Sequence, residues 1–272
     1  MKFKRILSVC LAIILAAGCF ASCSEPEQPK EPTADELMTA ADQVLTEVPY
    51  KSTFDMTFTS NKENETTNSV TSALNGVDIS YSVNGNNIEM SYLIKKLNNG
   101  NSESIDMTIT GIDDTLYVKM LISASGTESI GKMKATATEE QRDEVMTETS
   151  GTATDITSAD FEKIALEKVG DSYVLTCTDL KKESEEKLNS IVSSSVKNGT
   201  LKASNAIFVI EIKDGRYHRI TLTCDYKYAI NQTQYDLSAV VVNCYSYENV
   251  TVTAPEDADD YIEIKIDSLL KK

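Results

Sequence analysis

The chain has 272 residues, 41% of them hydrophobic, and its 42 acidic against 26 basic side chains give a formal net charge of -16. That length suits one large domain rather than two small ones, with enough apolar content for a core. So acidic a surface repels nucleic acid and anionic membrane faces, and a single histidine leaves little room for a Ser/His/Asp or Cys/His nucleophile.

The first residues read as a targeting segment. Lys2, Lys4 and Arg5 precede an apolar run from Ile6 to Ala17. That run falls short of the ~20 apolar residues of a membrane span. It ends in Leu15-Ala-Ala-Gly-Cys19, followed by Phe20-Ala-Ser-Cys23, an arrangement similar to a bacterial lipoprotein signal. In such signals the Cys after small residues is acylated and becomes the mature N-terminus. Gly18 points to Cys19 as the lipid attachment; Ser24 points to Cys23 as the alternative. The expected division is a signal peptide over 1–22, a proline-rich tether over 23–32 and a single domain over 33–272.

Thr33-Ala-Asp-Glu36 has the form of a capping box. Behind it Leu37, Ala41, Val44, Leu45 and Val48 fall on one helical face, and Pro49 stops the helix. Phe54, Met56 and Phe58 then alternate with Asp55, Thr57 and Thr59, the period of a half-buried strand. Val77 to Val83, Ile88 to Ile94, Ile105 to Ile109 and Leu116 to Met120 repeat that alternation. Asn84-Gly85, Asn98 to Asn101 and Asp113-Asp114 supply the turns; Asn75-Gly76 is either a turn or a bulge. Such spacing predicts an antiparallel meander.

From Ser123 to Asp160 the chain is rich in Ser, Thr, Glu and Ala. Thr138-Glu-Glu-Gln141 is a second capping box, so this stretch predicts a short exposed helix to about Thr147 within an excursion over the sheet's rim. Ile164, Leu166 and Lys168 fit strand or short helix. Tyr173, Leu175 and Cys177 read as strand. Residues 183–197 carry Leu188, Ile191, Val192 and Val196 on one helical face, closed by Asn198-Gly199. Ala206–Ile212, Tyr217–Tyr228 and Tyr235–Tyr247 follow as strands, then Val250 and Val252 up to Pro255. The tail (Ile262, Ile264, Ile266, Leu269) fits either period. The fold class is therefore mainly β (α+β), with nine to eleven strands (by roughly this spacing) and one early helix lying on the sheet.

Catalytic and metal chemistry find no constellation in the sequence, and no cofactor is expected. Cys177, Cys224 and Cys244 show no CxxC spacing and read as free, core-filling thiols; the hairpin register sets Cys224 against about Ser238. His218 shares a strand face with Ile220 and Leu222 and reads as a packed or rim residue. Asp113-Asp114 and Asp259-Asp260 carry no signal in so acidic a chain. The chain is expected not to be an enzyme.

Several segments together resemble the LolA/LppX-like bacterial lipoprotein superfamily. They are the lipobox, the tether, the helix over 34–48 with Phe54-Asp-Met-Thr-Phe58, the strand Leu116-Tyr-Val-Lys119, and the closing Tyr247-Glu-Asn-Val-Thr-Val-Thr-Ala-Pro-Glu-Asp-Ala258. The resemblance covers most of the mature chain. It implies an incomplete antiparallel β-barrel wrapped around the N-terminal helix, with an apolar cavity between. It also implies a lipid-anchored protein on the extracytoplasmic face of the cell membrane that carries a hydrophobic small molecule or lipid, such as an acyl chain or glycolipid. The expected cavity lining is Leu37, Ala41 and Val44 from the helix, Phe54, Met56 and Phe58 from the first strand, and Tyr81, Met90, Tyr92, Met107, Val118 and Met120 from the meander. Met is an adaptable lining. The alternative is a non-catalytic interaction or sensory ectodomain whose core is filled. The Ser123–Asp160 segment, the absence of Trp and the strong acidity depart from the family pattern.

Overall fold

The computed structural model describes residues 31–60, 77–98, 101–124, 126–150, 157–194, 200–230 and 233–269. The chain divides into two units, Met1–Pro32 and Thr33–Lys272. Of the first, only Glu31 and Pro32 are described, so the expected signal, tether and both candidate lipid-bearing cysteines lie outside the described residues.

The second unit is mainly β. Helix α1 (Ala34–Glu47) opens it, and its capping box is formed: the Glu36 amide donates to Thr33 Oγ1 at 3.3 Å and the Thr33 amide to Glu36 Oε2 at 2.8 Å. Six strands follow: β1 (Tyr50–Ser60), β2 (Val77–Asn84), β3 (Asn87–Asn98), β4 (Asn101–Ile112), β5 (Thr115–Ala124) and β6 (Thr127–Thr136). Helix α2 (Glu139–Ser150) leads across to β7 (Phe161–Val169) and β8 (Ser172–Leu180). Helix α3 (Lys182–Ser194) precedes β9 (Thr200–Lys213), β10 (Arg216–Ile230) and β11 (Thr233–Ser246), and a two-residue β12 (Ile262–Glu263) lies near the end.

All twelve strands belong to one open sheet, in the order β12-β6-β5-β4-β3-β2-β1-β11-β10-β9-β8-β7. Two antiparallel meanders meet in its middle. The first runs outward from β1 to β6; the second starts at the opposite edge with β7 and returns to β11, which pairs with β1. Tight turns carry the hairpins: Gly85 (φ 61°), Asp113 (φ 50°) and the pair Asp214 (φ 51°) and Gly215 (φ 71°) occupy the left-handed region that such turns require. The outer strand β7 presents Glu162, Lys163, Glu167 and Lys168 exposed, a charged edge that discourages further strand addition.

The inner face carries two separate apolar clusters. One lies under α1, where Leu37, Met38 and Ala41 pack with Phe58, Phe208, Ile210 and Leu237. The other lies on β3 to β5, where Met90, Ile109, Leu116 and Val118 are covered by Ala137 and Val145, with Ile266 and Leu269 packed against them. Leu188 of α3 packs against the first cluster as well, so cover of the sheet is shared among α1, α2, α3 and the C-terminal tail. The tail is pinned by parallel pairing of β12 with β6, by Lys132 Nζ held between Asp257 (2.7 Å) and Asp260 (3.1 Å), and by Tyr261 edge-on to Tyr117.

Several expectations are corrected. The rim excursion contains β6, fully paired with β5, and its helix buries Arg142 and Val145 instead of lying exposed. Residues 250–254 form no strand; Val252 is buried and the Val250 carbonyl accepts from Asn84 Nδ2. Strand is the outcome for Phe161–Val169, where strand or helix stood open. The turns around Asn75-Gly76 and Asn231, and the helix end at Asn198-Gly199, lie outside the described residues.

Candidate functional site

A cavity of about 80 Å³ lies between α1 and the sheet. Its roof is Met38, Asp42 and Leu45, one helical stripe of α1. Its floor is set by cross-strand register. Phe54, Asn243, Ile220 and Ile210 form one row across β1, β11, β10 and β9. Val241, Leu222 and Phe208 form the next row, two residues along. Tyr245 and Tyr217 close one end. Side chains alternate across each strand, so these positions share the inner face while Asp55, Thr57 and Val240 face away.

The tyrosine end is the polar one. Tyr217 donates its hydroxyl to Asp42 Oδ1 at 2.7 Å, tying β10 to α1. Asn243 Nδ2 donates to the Tyr245 hydroxyl at 2.9 Å, and Tyr247 donates to the Tyr217 carbonyl at 3.0 Å. The rings run on as a chain: Tyr217 to Tyr245 at 5.7 Å, Tyr245 to Tyr50 at 6.1 Å, Tyr50 to Tyr81 at 6.3 Å. Burial raises the Tyr50, Tyr217 and Tyr245 phenols well above their ordinary range, with the Asp42 carboxylate adding to the effect at Tyr217. These hydroxyls are therefore neutral hydrogen-bonding groups at any physiological pH.

One atom of the floor is out of balance. Asn243 is 7% exposed, and its Oδ1 has no hydrogen-bond partner. Exchanging the amide's oxygen and nitrogen gives Tyr245 an acceptor in place of a donor and leaves the nitrogen unpaired instead. Burying such a group without a partner costs about 1–3 kcal/mol.

Among the expected lining residues, Phe54 borders this cavity. Leu37, Ala41, Met56 and Phe58 pack in the surrounding cluster, and Val44 is half-buried on α1. Tyr81, Met90, Met107 and Val118 belong with the second cluster, whereas Tyr92 and Met120 are half-buried farther along the sheet. Sequence reasoning missed Met38, which is adjacent to the chosen stripe, and Asn243 and Tyr217. The Tyr217 omission has a definite cause. The β9–β10 register shifts between Tyr217 and Arg219, so His218 is the extra residue of a bulge. His218 is consequently exposed, not on the face of Ile220 and Leu222, and Tyr217 turns inward.

A second cleft of about 630 Å³ opens between α3 and β8–β9, beside Glu185, Leu188, Asp179 and Asn205. Its walls mix charge with apolar surface and expose it broadly to solvent. Cys177, Cys224 and Cys244 are free thiols; Cys224 pairs with Ala239, one residue from the expected Ser238, and Cys244 with Arg219. Among the described residues no three His, Cys, Asp or Glu side chains are placed to hold a metal ion, and no helix is long and apolar enough to cross a membrane.

No family model matches the chain, and no curated protein matches it. Among solved structures it is similar to an inactive mutant of the CurJ dehydratase in complex with a small compound, at 10% identity and a TM-score of 0.12 over 78% of this chain and 80% of that one. A likeness so slight carries no argument about fold or chemistry.

Proposed function

We propose that this protein is a lipid-anchored, extracytoplasmic binding protein of the LolA/LppX-like kind that holds a hydrophobic ligand between α1 and its sheet. In this reading the open sheet is the wall of a half-barrel, α1 is its cover, and Cys19 or Cys23 carries the anchor. The supporting observation is the cavity under α1, with an apolar floor of Phe54, Ile210, Ile220, Leu222 and Val241 and a polar end at Tyr217 and Tyr245. An amphiphile has that same division.

Ligand pockets usually measure about 300–1,000 Å³, so at about 80 Å³ this one is nearly shut. Entry requires α1 to lift. The helix is held mainly by Leu37, Met38 and Ala41. At roughly 1.5–3 kcal/mol for each of Leu37 and Met38, with about 1–2 kcal/mol for the Tyr217–Asp42 bond, lifting it costs about 6 kcal/mol. An acyl chain returns ~0.8 kcal/mol per methylene, so about eight methylenes offset the opening and the remainder provide affinity.

The full chain, extracted from the producing cell's membranes in mild detergent, should release a non-covalent acyl-chain compound on denaturation, detected by native mass spectrometry and organic extraction. The small cavity volume favours a second reading, an interaction or sensory ectodomain with a filled core. Protein that releases no lipid and binds no apolar fluorescent probe would establish that alternative and remove the carrier.

A further inference from the structure

We infer that the cavity under α1 selects an amphiphile with a neutral, hydroxyl-bearing head group over one with a carboxylate, and that Asn243 is the residue that reads the hydroxyl. The inference rests on the binding role proposed above and names the ligand class for the same site.

The orphaned amide carries the argument. A core that only needed filling would be served by Val or Leu at position 243, between Phe54 and Ile220. Instead a buried amide sits there, one polar end on the Tyr245 hydroxyl and the other without a partner. Buried polar groups are otherwise satisfied in folded proteins, so this one marks a place for an absent partner. A hydroxyl both donates and accepts, and meets the amide whichever way round it lies. The neighbours decide against an anion. Asp42 stands at the same end of the cavity, on Tyr217 at 2.7 Å, and a second carboxylate there meets like charge. The lining holds no Lys or Arg. The phenols of Tyr217 and Tyr245, kept neutral by burial, are suited to bond a glycerol or sugar hydroxyl beside Asn243.

The test compares monolauroylglycerol with laurate, matched in chain length, each displacing an apolar fluorescent probe from the full-length protein at pH 8. Wild type should bind the monoacylglycerol at least about tenfold more tightly. Asn243→Leu should weaken that ligand about tenfold and bring the two within about twofold of each other. Asp42→Asn, which removes the charge and keeps an acceptor for the Tyr217 hydroxyl, should tighten laurate several-fold relative to the monoacylglycerol. Equal affinities in wild type, or the same preference retained in both variants, would overturn the head-group inference while the carrier stands. If neither amphiphile displaces the probe, the carrier reading and the inference fall together.

Discussion

Arg142 shows what a single side chain does in this fold. It is 5% exposed on α2; its Nη1 donates to the Asn86 carbonyl at 3.3 Å, and its Nε has no partner. Its stem lies over Gly111, 3.5 Å from where a Cβ there would sit, so its methylenes pack on the sheet. A buried cation with its Nε left unpaired is a net burden. Arg142→Met should therefore leave the urea midpoint unchanged or raise it, whereas Arg142→Ala, which removes the stem as well, should lower stability by about 2 kcal/mol. Tyr217 is the opposite case. Its bond to Asp42 is charge-assisted, and Tyr217→Phe should lower stability by about 1–2 kcal/mol in the same measurement. Neither residue was legible in the sequence. Arg142 reads as one more charge in a polar helix, and Tyr217 faces inward because of a bulge that no local pattern announces.

Elements built on local interactions were the most readable. The box at Thr33 and Glu36 closes within one turn, and its residues suffice to foresee it. The same holds for Thr138 and Gln141 at the start of α2, where both reciprocal bonds form. Thr33→Ala should cost about 1 kcal/mol, read as a lower urea midpoint with the slope unchanged. Strand β6 was not readable. Along Thr127–Thr136 only Ala135 is buried, with Lys132, Met133 and Lys134 half-buried, so its own hydrophobic alternation is faint. It is a strand because β5 offers it a row of backbone partners, from Thr115 against Thr136 to Ala124 against Thr127. Pairing, not propensity, decides such an edge.

At the scale of the molecule, the aromatic seam ties the two meanders together. Tyr50 of β1, Tyr81 of β2 and Tyr245 of β11 touch across the join of first and last long strands. Burial raises the phenols of Tyr50, Tyr217, Tyr226 and Tyr245 far above the ordinary 10.0, pushes Tyr247 up to about 12, and moves the Cys177 and Cys224 thiols up to about 11. In each case the fold holds the proton more tightly than the open chain does. Their contribution is complete below the unfolded pKa and is lost as pH rises toward the folded one. Thermal stability should hold up to about pH 8, begin to fall as the unfolded chain's thiols titrate near 9, and fall steeply from pH 10 to 12, at up to about 1.4 kcal/mol per pH unit for each group titrating. Tyrosinate absorbance should rise in part only with unfolding; a full, smooth titration of the folded protein near pH 10 would contradict this burial.

The residues alone determined the kind of element at most positions, because helix stripes, strand alternation, caps and turn residues act within a few positions of the chain. They also determined that the body is mainly β and acidic, and they carry the lipobox resemblance at Cys19 and Cys23. Only the tertiary structure decided that β1 closes against β11, that the inner face carries two separate clusters under different covers, and that the space under α1 is nearly shut with Asn243 Oδ1 unpaired in its floor. Those outcomes depend on which distant strands share hydrogen bonds and on how closely side chains from far-apart segments fill one volume. Neither quantity is written in the spacing of neighbours.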